Sequence, residues 1–307
     1  MGSLYWRKAL FTLIMLPVFV GICYLGGWFL LVPLILVSVI GLGEYYTATF
    51  RKGHRPAVAL GFLAGTMILL VTEFIRGSAV PTVAATTLGP DTTLLPVDAG
   101  LREGALLAVI IFLVGFTLLA QFGNGPEQSA VNNTAITCFG VIYIPLMLSF
   151  MLRLRQCDLP AALNYAGVDE FWHRTGALLM VLIPVWLCDS MAQTVGRAWG
   201  SRKLAPTISP GKTVEGAVAG FVSAVVGTLA MGVWLGMPWY HALALGALIG
   251  AVGQLGDLGK SVLKRDLGIK DFGNLFGPHG GVLDRLDAPM FTMPLAYLYL
   301  WLFLLPH

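Results

Sequence analysis

Charge is what this chain has least of. Of its 307 residues 11% are Asp, Glu, Lys or Arg, whereas 57% are hydrophobic. A soluble domain carries about a quarter charged residues, so this composition excludes a soluble globular protein and leaves little room for a separate soluble domain. Cysteine is scarce as well. Cys23, Cys138, Cys157 and Cys188 show no CxxC or Cys/His spacing, which gives neither a zinc site nor a disulfide framework any support. Three of these thiols lie in apolar runs, where they pack as small hydrophobes. No internal repeat and no low-complexity tail stands out. The net charge of +3 is modest, and nucleic acid is not an expected partner.

Long apolar runs are what the chain has in quantity. A membrane span needs about 20 mostly apolar residues, and on that rule roughly nine fit. They cover 8–26, 28–47, 56–75, 103–122, 133–152, 174–195, 214–236, 239–259 and 288–305. The first follows Arg7 and Lys8 like a signal peptide, but continues through Gly21–Gly26 without a small-x-small cleavage site. It is expected to stay as a signal anchor. With the N-terminus inside, fourteen Lys and Arg fall in the cytoplasm and five (Arg76, Arg102, Arg153, Arg155, Arg174) outside. That asymmetry is the one cytoplasmic loops show. The expectation is an all-α integral membrane protein of about nine transmembrane helices, N-terminus cytoplasmic and C-terminus outside. It divides into an N-terminal bundle, 1–172, and a C-terminal region, 173–307. The outer loop 76–102 carries Thr and Pro but few charges.

The same topology sorts the acids. Glu44, Asp189 and Asp257 fall near the cytoplasmic ends of their spans, and Glu215 starts the seventh. A charge at mid-membrane costs about 2.5–3.5 kcal/mol, so such residues normally face a cavity or a partner. Several acids at one face suggest a polar bowl open to the cytosol.

Charge is concentrated between Gly253 and Asp287. If the eighth span stays helical through Arg265, then Asp257, Lys260, Ser261 and Lys264 share one face. Such a row is either an ion-pair ladder ending a span or one wall of a site. The glycine-rich loop favours the site. Gly273, Gly277, Gly280 and Gly281 surround His279, and Asp284, Arg285 and Asp287 follow at once. Glycines permit close backbone approach, and exposed amides can cradle phosphate oxygens. One or two carboxylates suffice for Mg²⁺, which keeps waters and takes its other ligands from phosphates.

A second loop, Arg202 to Gly216, reads RKLAPTISPGKTVEG. A P-loop would need glycine where Pro206 stands, so GKT here is not a Walker motif. Ser209, Lys212 and Thr213 still offer hydroxyls and a cation just before a helix, suited either to an anion or to a plain helix cap. Asp189-Ser190 closes an apolar helix, and Asp189 is there as a metal ligand or as a hydrogen-bonded helix partner.

Ser261-x-Leu263-Lys264-Arg265, then Lys270-Asp271-x-Gly273, then Phe276-Gly277-x-His279-Gly280-Gly281-Val282-x-Asp284-Arg285-Leu286-Asp287 resembles the signature of the phosphatidate cytidylyltransferases, or CDP-diacylglycerol synthases. The Asp189-Ser190 pair and the loop from Lys203 to Thr213 resemble that family too, in its usual order. The likeness covers roughly Trp186 to Asp287. Earlier residues match only as a bundle of spans, with Glu44 a further echo. Gln193 stands where an aromatic is usual and Thr207 where a basic residue is frequent.

The resemblance implies transfer of CMP from CTP to phosphatidic acid, with Mg²⁺ as cofactor and CDP-diacylglycerol and pyrophosphate as products. It implies a place in a cell membrane with the active site facing the cytoplasm, and a homodimer. On this reading Asp257 and Asp284 hold the metal, with Asp189 and Asp287 as further ligands or supports. Lys264 and His279 join Asp257 and Asp284 as catalytic candidates. Ser209, Lys212, Thr213, Lys260, Ser261, Arg265, Lys270, Gly280, Gly281 and Arg285 are candidates for binding substrate phosphates. A CTP-dependent polyprenol or phytol kinase is the alternative, releasing CDP instead of pyrophosphate. A cation-coupled transporter ranks below both, because its acids would sit near the midplane of paired halves.

Overall fold

The computed structural model describes residues 17–75, 99–122, 129–275 and 280–305. Residues 17–25 are helical and fall in the expected first span, whose residues 8–16 lie outside the described residues, as do residues 76–98 of the expected outer loop. The chain then forms helix α1 (Gly27–Arg51), α2 (Val58–Phe74) and α3 (Ala99–Leu119). Helix α4 runs from Ala130 to Gln156, with a π-helical turn at Ile142–Leu146 that contains Pro145. Proline lacks an N–H, so the bonding pattern must shift around it. After a short turn of helix at Leu159–Ala162 come α5 (Glu170–Trp199), a hairpin of β1 (Lys203–Ala205) and β2 (Ser209–Thr213), then α6 (Val214–Trp234) and α7 (Trp239–Asp266). A 3₁₀ turn at Leu283–Arg285 leads into α8 (Asp287–Phe303).

The chain is mostly helical, and six of these helices (α1, α3, α4, α5, α6, α7) are long and apolar enough to cross a membrane. Helices α2 and α8 are apolar but shorter. This is a multi-pass membrane protein. Large side chains such as Trp28, Phe29, Ile111, Phe112, Val226 and Leu302 are exposed on the helix surfaces. That would be a liability in water but suits a hydrocarbon solvent.

Packing is closest between α5, α6 and α7, the helices that carry the site. Apolar surface does not drive association between helices in lipid, so small residues that let backbones approach take over. A Cβ at Gly220 of α6 would stand 2.8 Å from the Cys188 carbonyl of α5, and one at Gly246 of α7 would stand 2.8 Å from Cα of Val225 on α6. Helix α8 lays Phe291 against α7 and Tyr143 of α4, so the N-terminal and C-terminal helices share one core.

Two groups of polar contacts mark the two ends of the bundle. At one, Lys52 after α1 pairs with Asp266 closing α7, at 2.8 Å. At the other, Arg153 of α4 pairs with Glu103 of α3 at 2.9 Å, and Gln156 donates to Glu73 of α2.

The hairpin was not foreseen from periodicity. It is antiparallel, with Lys203 opposite Thr213 and Ala205 opposite Ser209. Thr213 ends β2 and caps α6, its hydroxyl accepting from the Gly216 amide at 3.2 Å. Glu215, one residue into α6, accepts from the Ser201 hydroxyl and the Arg202 amide, which ties the hairpin's other end to the same helix start.

Candidate active site

A cavity of about 520 Å³ opens between the last turns of α5, the hairpin, the start of α6, the middle of α7 and the 3₁₀ turn. That is within the usual range for small-ligand sites. Asp189, Ser209, Lys212, Thr213, Asp257, Asp284 and Arg285 all line it. They come from four separate chain segments, so the fold gathers what the sequence scatters.

Asp257 sits midway along the polar end of α7. Its Oδ2 lies 2.6 Å from Nζ of Lys212, reaching across from β2, and its Oδ1 lies 3.7 Å from Nζ of Lys260 one turn on. Helix α7 does remain helical to Asp266, so Asp257, Lys260, Ser261 and Lys264 share a face. Only Asp257 of the four lines the cavity.

The others build the wall behind it. Lys260 is 6% exposed and donates to the Asp284 carbonyl at 3.1 Å. Lys264 donates to Oδ1 of Asp284 at 2.8 Å and lies 3.3 Å from Asp271. The Ser261 hydroxyl donates to its own helix, at the Asp257 carbonyl.

Asp284 is held on every side. Its Oδ2 accepts from the amides of Phe272 and Gly281, both at 3.0 Å, while Oδ1 takes Lys264. Burial by itself would raise its pKa. The Lys264 hydrogen bond, the Gly281 amide, the lysine's charge and the Phe272 amide together outweigh burial and hold the carboxyl below its ordinary value. Gly280 has φ +81°, and a Cβ there would stand 2.7 Å from Oδ2 of Asp284. Glycine is thus required at 280 on two counts, backbone conformation and room for the carboxylate. Gly280 and Gly281 act here by shaping the turn around Asp284.

The remaining expected residues divide. Arg265 is exposed and donates to the Ile208 carbonyl at 3.3 Å, bracing the hairpin tip against the end of α7. Lys270 is exposed and does not line the cavity. His279 and the side chain of Asp287 lie outside the described residues.

Three polar lining residues are not among the sequence candidates: Gln193, Arg197 and Gln254. Gln254 donates to the carbonyls of Ala217 and Gly250, pinning α6 to α7 beneath the cavity. A glutamine three residues before Asp257, inside an apolar span, was the available signal.

Among the described residues, no three His, Cys, Asp or Glu side chains form a ready metal cage. The donor set is two carboxylates, Asp257 and Asp284, with Asp189 exposed at the rim. That set fits Mg²⁺, which takes one or two protein carboxylates and completes its shell with waters and substrate phosphates. It fits zinc poorly, since zinc wants three or four N or S ligands. The cations Lys212 and Arg285 beside these acids make the cavity one for a polyanion.

The chain is similar to known proteins over most of its length. The cytidylyltransferase family profile matches residues 6–303. A phosphatidate cytidylyltransferase of Synechocystis sp. is 33% identical over 299 residues, covering 91% of each chain. One from Bacillus subtilis is 34% identical over 203 residues, 66% of this chain and 68% of that one. A chloroplastic phosphatidate cytidylyltransferase of Arabidopsis thaliana is 32% identical over 292 residues, 90% of this chain and 67% of that one.

Proposed function

The chain belongs to the cytidylyltransferase family, and from that premise we propose that it transfers CMP from CTP to phosphatidic acid. It is a nucleotidyltransferase of phospholipid synthesis, giving CDP-diacylglycerol and pyrophosphate. The observation that carries the assignment to this cavity is the convergence of Asp257, Asp284, Lys212 and Arg285 on one space.

The reaction needs charge control more than a base. A phosphatidate oxygen forms a bond to the α-phosphorus of CTP, the bridging bond to the β-phosphate breaks, and its electron pair leaves with pyrophosphate. The lipid phosphate is already anionic near neutral pH, so no Ser-His-Asp arrangement is required to activate it. The obstacle is bringing two anions together. Lys212 and Arg285 are placed to offset triphosphate charge and orient it. Lys260 and Lys264 act one step back: Lys260 lies 3.7 Å from Asp257, and Lys264 reaches Asp284 at 2.8 Å and aims it. The Thr213 hydroxyl caps α6 and sets Ser209 and Lys212 at the cavity wall.

Asp257 and Asp284 would hold Mg²⁺, with Asp189 at the rim and Asp287 as a further ligand. The ion would supply charge neutralisation at the reacting phosphates. His279, flanked by glycines, is assigned to pyrophosphate or to orienting an acid. Arg265 and Lys270 are assigned to the outer part of the phosphate path, while Gly280 and Gly281 shape the turn around Asp284.

The proposed topology is nine spans, N-terminus in the cytoplasm and C-terminus outside, in a cell membrane. The Lys52–Asp266 pair supports it by joining the cytoplasmic ends of α1 and α7. The proposed division at residue 172 is supported by the cavity lining, all of which lies at or after Asp189. A homodimer is proposed on family resemblance alone.

The test is to incubate purified protein with labelled CTP, phosphatidic acid and Mg²⁺, and follow lipid and soluble products together. CDP-diacylglycerol and pyrophosphate in equal amounts are expected. Release of CDP with a phosphorylated lipid would overturn the assignment in favour of a lipid kinase.

A further inference from the structure

Glu44 takes no part in the chemistry above and does not line the cavity, yet its carboxylate sits at the root of the turn that carries Asp284. Oε1 accepts from the Val282 amide at 2.9 Å and Oε2 from the Leu283 amide at 3.0 Å. A Cβ at either Gly273 or Gly281 would overlap this same carboxylate. The chain therefore closes on Glu44 where it enters the loop and again where it leaves. Val282 and Leu283 are 5% and 2% exposed, so water is a poor substitute acceptor for their amides.

Three consecutive amides are divided between two carboxylates. Gly281 donates to Asp284, while Val282 and Leu283 donate to Glu44. With the backbone at 282 and 283 fixed, Asp284 starts from a set position, and its Oδ1 is directed at Lys264. Glu44 belongs to α1, 238 residues away from Val282, whereas the cavity lining begins only at Asp189.

We propose that Glu44 is a positioning residue: by holding the Val282 and Leu283 amides, it fixes the orientation in which Asp284 faces the cavity. The catalytic consequence rests on the reading of Asp284 as a metal-binding carboxylate; the anchor itself does not. The N-terminal bundle is then part of the active-site framework, because α1 supplies the anchor.

Glu44→Gln is the sharp test. It keeps the shape but turns an NH₂ toward one of two buried amide donors. Glu44→Asp keeps both acceptor oxygens on a shorter stem. Lys52→Met cuts the other tie from the end of α1, its pair with Asp266, and serves as control. Hydrogen exchange at the Val282 and Leu283 amides, without Mg²⁺ or nucleotide, reads the anchor directly. Exchange in Glu44→Gln is expected to rise about tenfold or more, the scale of a buried donor left without an acceptor.

In turnover assays the same variant should lower kcat about tenfold or more and raise the Mg²⁺ needed for half-maximal rate, with KM for phosphatidic acid little changed. Glu44→Asp should recover part of both losses although it is the less isosteric change. Gly281→Ala, which crowds the carboxylate from the other side, should reproduce the pattern if Glu44→Gln cannot be purified.

Wild-type kcat and Mg²⁺ response in Glu44→Gln would overturn the proposal, as would an equal effect from Lys52→Met or an Asp variant no better than Gln. If Asp284→Asn were fully active, the metal assignment would fall, and its catalytic consequence with it; protected amides at 282 and 283 would still establish the anchor.

Discussion

Lys212, at the end of β2, sets its Nζ 2.6 Å from Oδ2 of Asp257 in the middle of α7. The pair lies in the cavity lining and joins the hairpin to the helix that carries the longest row of charges. Its two members do different work: the acid suits a cation and the lysine a phosphate. Replacing either removes this contact but a different function, so the two substitutions should fail in different ways.

Asp257→Asn should abolish Mg²⁺-dependent CTP turnover while leaving a folded protein. Lys212→Met should leave measurable turnover but raise KM for CTP about tenfold or more, since a hydrogen bond to a charged group contributes about 1.5–3 kcal/mol. Steady-state kinetics with CTP and Mg²⁺ varied independently separate the two. Near-wild-type activity in purified Asp257→Asn would remove that residue from the site.

Asp284 gives a pH signature. Its folded-state pKa lies below the ordinary carboxylate value, so ionisation favours the folded state. That contribution is complete above the unfolded value, about 4, and is lost as pH falls through the lower folded one. Asp284→Asn should therefore lower thermal stability at neutral pH and flatten its dependence below about pH 4. Melting curves of both proteins in one detergent across pH 3–7 check the sign. A difference that grows as pH falls would contradict it.

Metal removal should affect turnover and stability unequally. EDTA is expected to stop CMP transfer, and added Mg²⁺ to restore it. With two cavity carboxylates plus one at the rim, Mg²⁺ alone should shift the melting temperature little, while Mg²⁺ with CTP should raise it, because the nucleotide completes the shell. A large shift from Mg²⁺ alone would mean a protein-built cage that the described residues do not provide.

The apolar helices were legible because about 20 apolar residues in a row have few other uses, and the helices found over the expected segments begin and end within several residues of them, six of them long enough to cross a membrane. Their ends ran longer where charge found a partner. Helix α5 starts at Glu170, before the apolar run, because Glu170 and Arg174 pair one turn apart. Helix α7 continues to Asp266 because Lys260 and Lys264 are satisfied by Asp257 and Asp284.

Site chemistry was legible as residue types, less so as roles. Spacing places Lys260 and Lys264 on the face of Asp257, but cannot say that they stand behind the acids while Lys212 comes from another segment to face the cavity. The β hairpin was hidden because Ser209-Pro210-Gly211 shows no alternation. The Glu44 contact was hidden for a simpler reason. No local pattern encodes a hydrogen bond across 238 positions.

The close contact between α6 and α7 predicts opposite outcomes for two kinds of glycine. At Gly246 a Cβ would stand 2.8 Å from Cα of Val225, which is backbone and cannot swing aside. Gly246→Leu should therefore push the helices apart and cost about 1–3 kcal/mol, as overpacking does. The damage should reach activity, because α7 carries Asp257 and α6 carries the helix start that Thr213 caps. At Gly115 on α3, by contrast, nothing lies within 4 Å of the added methyl. Gly115→Ala should be neutral or stabilising by up to about 1 kcal/mol, because alanine is the better helix former. Paired melting and turnover measurements on both variants check this. If Gly246→Leu proved as harmless as Gly115→Ala, close helix contact would not be what holds the two walls of the cavity in register.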